Sequence, residues 1–205
     1  MVFKKVFFVV LIISLFGACQ KDSILHTVNK EESKVMLQLQ PLDEFNVNKA
    51  EKIAEQIRNI YPNVEVLPKI DFPKGSYYQP RNRFRADSII KSLSSTTEKG
   101  FIKVGLTDKD ISVTKGDIKD FGVMGLGYRP GKACVASSYR LNAKKRDTQY
   151  FKIVIHEIGH TQGLKHCPNK ECFMRDAEGG NHTDDLVDFC VDCKTFLKTK
   201  NWKFS

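Results

Sequence analysis

Apolar and polar positions along this chain recur with periods that predict an alternation of strands and helices. Residues 35–39 alternate and are rich in β-formers, which predicts a first strand. Across 48–60, Ala50, Ile53, Ala54, Ile57 and Ile60 recur at helical spacing, and Pro62 stops the helix they predict. A short strand is expected at 64–67. A loop rich in proline, aromatic and arginine side chains follows at 71–83, then a helix at 85–93. Residues 101–106 read as an apolar strand, with Asp108 and Asp110 in the turn after it. Residues 121–126 and 133–138 read as two strands joined by Gly127-Tyr-Arg-Pro-Gly131. Asp147 is expected to cap a helix reaching Gln162, with Phe151, Val154, Ile155 and Ile158 on its apolar face. This order predicts an α/β fold, a single compact domain built on a mixed twisted sheet.

The N-terminus breaks the pattern. Met1 to Lys5 is a short basic start, residues 6–16 are apolar apart from Ser14, and Gly17, Ala18 and Cys19 follow. An apolar run this short reads as a signal peptide, here 1–18, rather than a permanent membrane helix. Small residues directly before a cysteine resemble the cleavage box of a bacterial lipoprotein. Cys19 is therefore the expected lipidation site, with an ordinary secretory signal as the plainer alternative. Residues 19–33 are polar and read as a flexible tether, which leaves 34–205 for the folded domain. The expected location is a bacterial cell envelope, on its periplasmic or surface face, with the membrane held through the N-terminal lipid.

Composition narrows the partners. The 33 Lys and Arg outnumber the 24 Asp and Glu, a formal charge of +9. Cleavage before Cys19 would remove Lys4 and Lys5, leaving 31 against 24, or +7. The basic residues are scattered, and no basic stripe is interleaved with aromatics, so nucleic acid is a poor partner. A monomer is expected.

The candidate chemistry lies in His156-Glu-Ile-Gly-His160-Thr-Gln-Gly163-Leu-Lys-His166. Two histidines at i and i+4 project from one helix face and can share a metal through their ring nitrogens. Gly163 permits a tight exit from the helix, after which the chain brings His166 to a third ligand position. Three neutral imidazoles leave a zinc ion one open position, which hydrolysis requires. Glu157, beside the first ligand, is placed to act as a general base. Cys167 and Cys172, then Cys190 and Cys193, group as two near pairs with the spacing of a closed, structural zinc site. Two disulfides are the rival reading.

From His156 to Cys193 the chain resembles the archaemetzincins. Their pattern is HExxHxxGxxH, a cysteine directly after the third histidine, a second five residues on, then x-Met, and later a Cys-x-x-Cys pair. The stretch from Met174 to Cys190 is slightly shorter than the family's usual one. Residues 104–110 and 133–141 resemble the family less specifically. The resemblance implies a metzincin-like zinc peptidase with its active-site helix under a mixed sheet, an edge strand beside the cleft, and Met174 in the turn beneath the catalytic metal. It implies two zinc ions, one catalytic and one structural in a C-terminal four-cysteine segment.

The remaining candidates have plainer readings. Cys134 sits in an apolar strand and reads as a small buried hydrophobe. His182, in a polar loop, reads as solvent-facing. Asp108 and Asp110 lack the further oxygen ligands that calcium would need. The functional expectation is hydrolysis of peptide bonds by an anchored zinc peptidase acting on a peptide or protein substrate. The alternative is a zinc-binding envelope protein without turnover, and a disulfide-stapled scaffold is a third reading. The strand at 133–138 is the expected site for substrate to pair with a sheet edge.

Overall fold

A computed structural model describes residues 35–204. The segments read as signal peptide (1–18) and tether (19–33), with Cys19, lie outside these residues.

Along the chain the elements are β1 (Met36–Pro41), α1 (Val47–Arg58), β2 (Val64–Val66), β3 (Tyr77–Tyr78), β4 (Arg83–Arg85), α2 (Ala86–Ser95), β5 (Phe101–Thr107), β6 (Ile111–Lys115), β7 (Ile118–Val123), β8 (Gly125–Gly127), β9 (Ala133–Ser137), α3 (Arg146–Gln162) and α4 (Val191–Lys198). They build a five-stranded sheet of order β2-β1-β5-β9-β8 and a four-stranded sheet of order β3-β4-β6-β7. In the larger sheet β2, β1, β5 and β9 are mutually parallel, and β8 joins β9 antiparallel. The fold is therefore α/β, as the alternation predicted.

Side-chain alternation decides which helix covers which face. Ile102, Val104 and Leu106 of β5, with Cys134 and Ala136 of β9, join Leu37 and Leu39 in a core shared with α1 and α3. Ala133 and Val135, one residue out of phase on β9, belong instead to the core built on Ile89, Ile90 and Leu93 of α2. Each such aliphatic side chain, once fully buried, contributes roughly 1.5–3 kcal/mol. The second core also takes in Ile111 of β6 and Phe84 of β4, so α2 lies between the two sheets. Asn46 caps α1, its side chain accepting from the backbone N–H of Asn48 and Lys49 at 2.8 and 3.3 Å.

Several expectations are corrected. Residues 133–138 do not lie at an edge. Strand β9 lies between β5 and β8, all five of its residues are buried, and its run of apolar residues suits an interior parallel strand. The edge beside α3 is β8. Residues 121–126 are not one strand, because the chain leaves the small sheet after Val123 and enters the large one at Gly125. A run of uniform character hides that change of partner. Residues 71–83 are not all loop: Tyr77 and Tyr78 pair antiparallel with Phe84 and Arg83. Lys145, not Asp147, occupies the cap position of α3 and makes no side-chain capping bond. Asp147 lies in the first turn, where its charge still favours the helix dipole. Strands β3, β4 and β6 and helix α4 were not anticipated.

Asp110 is more than a turn residue. Its buried carboxylate meets Arg83 Nε at 2.6 Å and Arg140 Nη2 at 2.8 Å, tying the small sheet to the segment after β9. Among the described residues, no helix is long and apolar enough to cross a membrane.

Candidate active site and metal centres

Helix α3 packs against β8 and β9, and its C-terminal half carries the motif. It ends at Gly163, whose φ of 113° is open to glycine at little cost. The backbone N–H of Gly163 reaches His160 O at 2.9 Å, and that of Leu164 reaches Gly159 O at 3.0 Å, closing the last turn. The chain then folds back, and His166 joins His156 and His160 so that one ring nitrogen from each lies within 4.8 Å of the others.

Their spacing fits one ion. Zinc–nitrogen bonds of about 2.0–2.1 Å place tetrahedral ligands roughly 3.3 Å apart. The Nε2 atoms of His160 and His166 are 3.2 Å apart. The opposite nitrogens are held by the protein. His156 Nδ1 donates to Phe173 O at 2.7 Å, and His160 Nδ1 donates to Leu164 O at 2.8 Å. His166 Nδ1 faces Asp176 Oδ2 at 3.1 Å. These contacts leave each Nε2 turned toward the common centre, the usual outer-shell arrangement around ligating histidines. Burial, then the neighbouring His160, pulls His156 down to about 3. Burial also lowers His160. Both shifts favour the neutral ring that a metal requires.

Glu157 is buried beneath β8. A Cβ placed on Gly125 would lie 2.3 Å from its Oε1, and one on Gly127 would lie 2.9 Å from its backbone oxygen. The two glycines therefore make room for the carboxylate under the strand. Burial pushes the Glu157 carboxyl up to about 8, and a cation at the three histidines would draw it back toward ionisation. Strand β8 turns its other groups outward. Ser137 N bonds Met124 O, and Tyr128 N bonds Ala133 O, so the backbone groups of 124, 126 and 128 face β9. By antiparallel alternation those of Gly125 and Gly127 face the open edge of the sheet.

Met174 is fully buried under the histidines. Gly159 admits its sulfur, because a Cβ there would lie 2.5 Å from Met174 Sδ.

The four cysteines also converge. Their Sγ atoms all lie within 4.8 Å of one another, with Cys167 to Cys190 at 3.6 Å and Cys172 to Cys193 at 3.7 Å. Zinc–sulfur bonds of about 2.3 Å give a tetrahedron with edges near 3.8 Å. All five described cysteines are free thiols, which favours a metal over the two-disulfide reading. Cys190 caps α4 and Cys193 sits within it, so the unanticipated helix carries half of the sulfur set. Cys134 is wholly buried, as expected.

A cleft of about 650 Å³ opens over Glu157 and the three histidines. His182 is half-buried and lines this cleft. Asp176, Arg129, Arg140, Gly125 and Gly127 also line it and were not singled out from the sequence. The glycine alternation in Gly125-Leu-Gly127 was the readable signal for a backbone that something approaches closely.

Comparison with known proteins agrees with this geometry. The model of peptidase family M54 matches residues 78–199. The archaemetzincin of Archaeoglobus fulgidus is 32% identical over 165 residues, covering 78% of this chain and 97% of that protein. That of Halobacterium salinarum is 29% identical over 150 residues, covering 65% and 82%. The crystal structure of the A. fulgidus archaemetzincin, a complex with malonate, superposes with a TM-score of 0.68 at 30% identity, covering 79% of this chain and 99% of that one. The archaemetzincin structure from Methanopyrus kandleri gives 0.70 at 23% identity, covering 85% and 99%, a likeness of fold. With more than half of its length matched by the family model, and a histidine cluster spaced for a metal beside a buried glutamate, the chain belongs to peptidase family M54, the archaemetzincins, and is a zinc metallopeptidase.

Proposed function

We propose that this protein cuts peptide bonds at the cleft over α3, with catalytic zinc held by His156, His160 and His166, structural zinc held by Cys167, Cys172, Cys190 and Cys193, and Glu157 as the general base. The observation that carries the reading is the placing of Glu157: it lies between the three-imidazole cluster and a sheet edge with outward backbone groups. A metal-storage site has no use for a buried carboxylate there.

When bound, zinc supplies Lewis-acid polarisation of a carbonyl and makes water more acidic. The chain's own residues do the rest. The free N–H and C=O groups of Gly125 and Gly127 hold an extended peptide as an added strand, so that main-chain bonds give affinity and side-chain pockets give selectivity. Glu157 removes a proton from the attacking water as its oxygen adds to the scissile carbon. It then returns that proton to the leaving nitrogen as the C–N bond breaks. His156 and His160 keep their orientation through Phe173 O and Leu164 O, and His166 keeps its orientation through Asp176.

A lipid on Cys19 would hold the domain at the membrane of a bacterial envelope, as a monomer acting on peptide or protein chains. The test of activity is a digest of a broad peptide library by zinc-loaded protein, read by mass spectrometry. Cleavage at defined bonds, abolished by chelator and restored by zinc, supports the reading. A zinc-loaded protein that cuts no peptide would leave the binding alternative in its place.

A further inference from the structure

The walls of the cleft carry an uneven charge. Lys115, Arg129, Arg140 and Arg175 line it, against the carboxylates of Glu157 and Asp176. Most of these groups are already engaged. Arg140 is paired with Asp110 and Arg175 with Asp185. The Lys115 ammonium lies over the Phe121 ring, 4.7 Å from its centre. Asp176 faces His166. Among the described residues, Arg129 alone of the four cations has no ion pair, side-chain hydrogen bond or aromatic partner.

Its position is fixed although its head is free. Arg129 lies in the turn between β8 and β9. On one side of it Gly127 packs against His160, where a Cβ would meet the histidine's own Cβ at 3.1 Å. On the other side Gly131 N donates to Thr161 O at 3.1 Å. The turn is thus fastened to α3 beside the His160 ligand, and Arg129, exposed at the surface, lines the cleft from it. An extended peptide paired with β8 advances about 3.3 Å per residue. Arg129 lies two positions beyond Gly127, within side-chain reach of a substrate residue one or two positions from the scissile bond. A planar guanidinium with free donors suits a carboxylate, which it can grip through two parallel bonds.

Building on the peptidase reading, we propose that the preferred substrates are acidic peptides, with Arg129 the specificity-determining residue that binds an Asp or Glu side chain, or a terminal carboxylate, within two residues of the cut bond. The net positive cleft adds steering of anionic chains, an effect that weakens with salt.

The experiment uses matched peptides that differ only in Asp or Glu against Asn or Gln near the cleaved bond, with an amidated partner for any terminal carboxylate. Two measurements are made: kcat/KM with zinc-loaded protein, and binding by fluorescence anisotropy to the zinc-loaded Glu157→Gln variant. The second reads recognition even where turnover is absent. Wild type should favour the acidic member about 10-fold or more, chiefly through KM. Arg129→Ala should bring the pair near parity, and Arg129→Glu should turn the preference toward lysine-bearing peptides, with zinc content and Tm held. Preference for neutral peptides in the wild type, or an acidic preference that survives Arg129→Glu, overturns the proposal. So does loss of the preference in Lys115→Ala but not in Arg129→Ala. An acidic binding preference that depends on Arg129, in a protein that cuts nothing, would uphold the recognition and sink the peptidase reading instead.

Discussion

The three histidines look equivalent in the motif, yet they are held in different ways. His156 and His160 are fixed by backbone carbonyls, Phe173 O and Leu164 O, which cannot swing away. His166 is half exposed and relies on a carboxylate that is itself more than half exposed, held by the N–H of Glu178 at 3.0 Å. That N–H, with His166 and Lys115 nearby, keeps Asp176 below the usual carboxylate range. Asp176 is therefore an anion that fixes the His166 tautomer and strengthens its Nε2 as a donor. Asp176→Ala should lower affinity for the catalytic zinc by about 10–100-fold, measured by chelator competition, and leave the structural zinc in place. Asp176→Asn, which keeps an acceptor for Nδ1–H, should lose less. Equal affinity in all three proteins would show that Asp176 does not orient the ligand. Glu157 separates in the opposite direction. Glu157→Gln keeps the volume under Gly125 and should retain both zincs and the Tm, while turnover falls roughly 100-fold or more. A variant that cut peptides at the wild-type rate would remove Glu157 from the mechanism.

Among the elements, α4 decides how the site is braced. It is short, with only Cys193 and Leu197 buried, and the Cys-x-x-Cys pair spans its start. Cys167 directly follows ligand His166, and its backbone N–H reaches Met174 O at 2.8 Å. A zinc joining Cys167 to Cys193 would bind α4 to the same segment that carries the third histidine and Met174. Cys193→Ser should therefore release one zinc, lower the Tm by a cost of several kcal/mol, and reduce activity with it, because structural-zinc binding is coupled to folding. Unchanged melting with two zincs still bound would rule out the four-cysteine centre. The same element shows where reading from sequence stops. Strand β1 and helix α1 were legible because the period of their buried residues survives in the sequence, and β5 because its run is apolar. The histidine cluster was legible because its members lie on one helix and its exit. Helix α4 was not, since eight residues with two buried positions carry too little periodicity, and its order depends on sulfur. Nor was the edge of the sheet. Gly125-Leu-Gly127 has no β-propensity to signal, and its place beside β9 follows from a pairing across the turn that no local pattern encodes. Asp110 was read as a turn residue because its partners Arg83 and Arg140 lie 27 and 30 residues away.

At the scale of the whole molecule, the proposed anchor is separable from the catalytic domain. The described residues form the sheets, the cleft and both ligand clusters, and no helix among them can cross a bilayer. The lipid proposed above would sit on Cys19, where the apolar run 6–16 ends at Gly17-Ala-Cys19. Lipid on the Cys19 sulfur would be added before cleavage, so one substitution acts on both events. Labelled fatty acid should enter the full-length wild type and not Cys19→Ser, and the variant should retain its leader or be cut elsewhere. Because the described residues supply every proposed ligand of both metal clusters, a soluble chain starting after Cys19 should still hold two zincs and cut the same peptides. Activity retained in the variant with its membrane association lost would assign Cys19 to location alone. Equal labelling of both proteins would place the lipid on another residue, and no labelling of either would return the leader to an ordinary secretory signal.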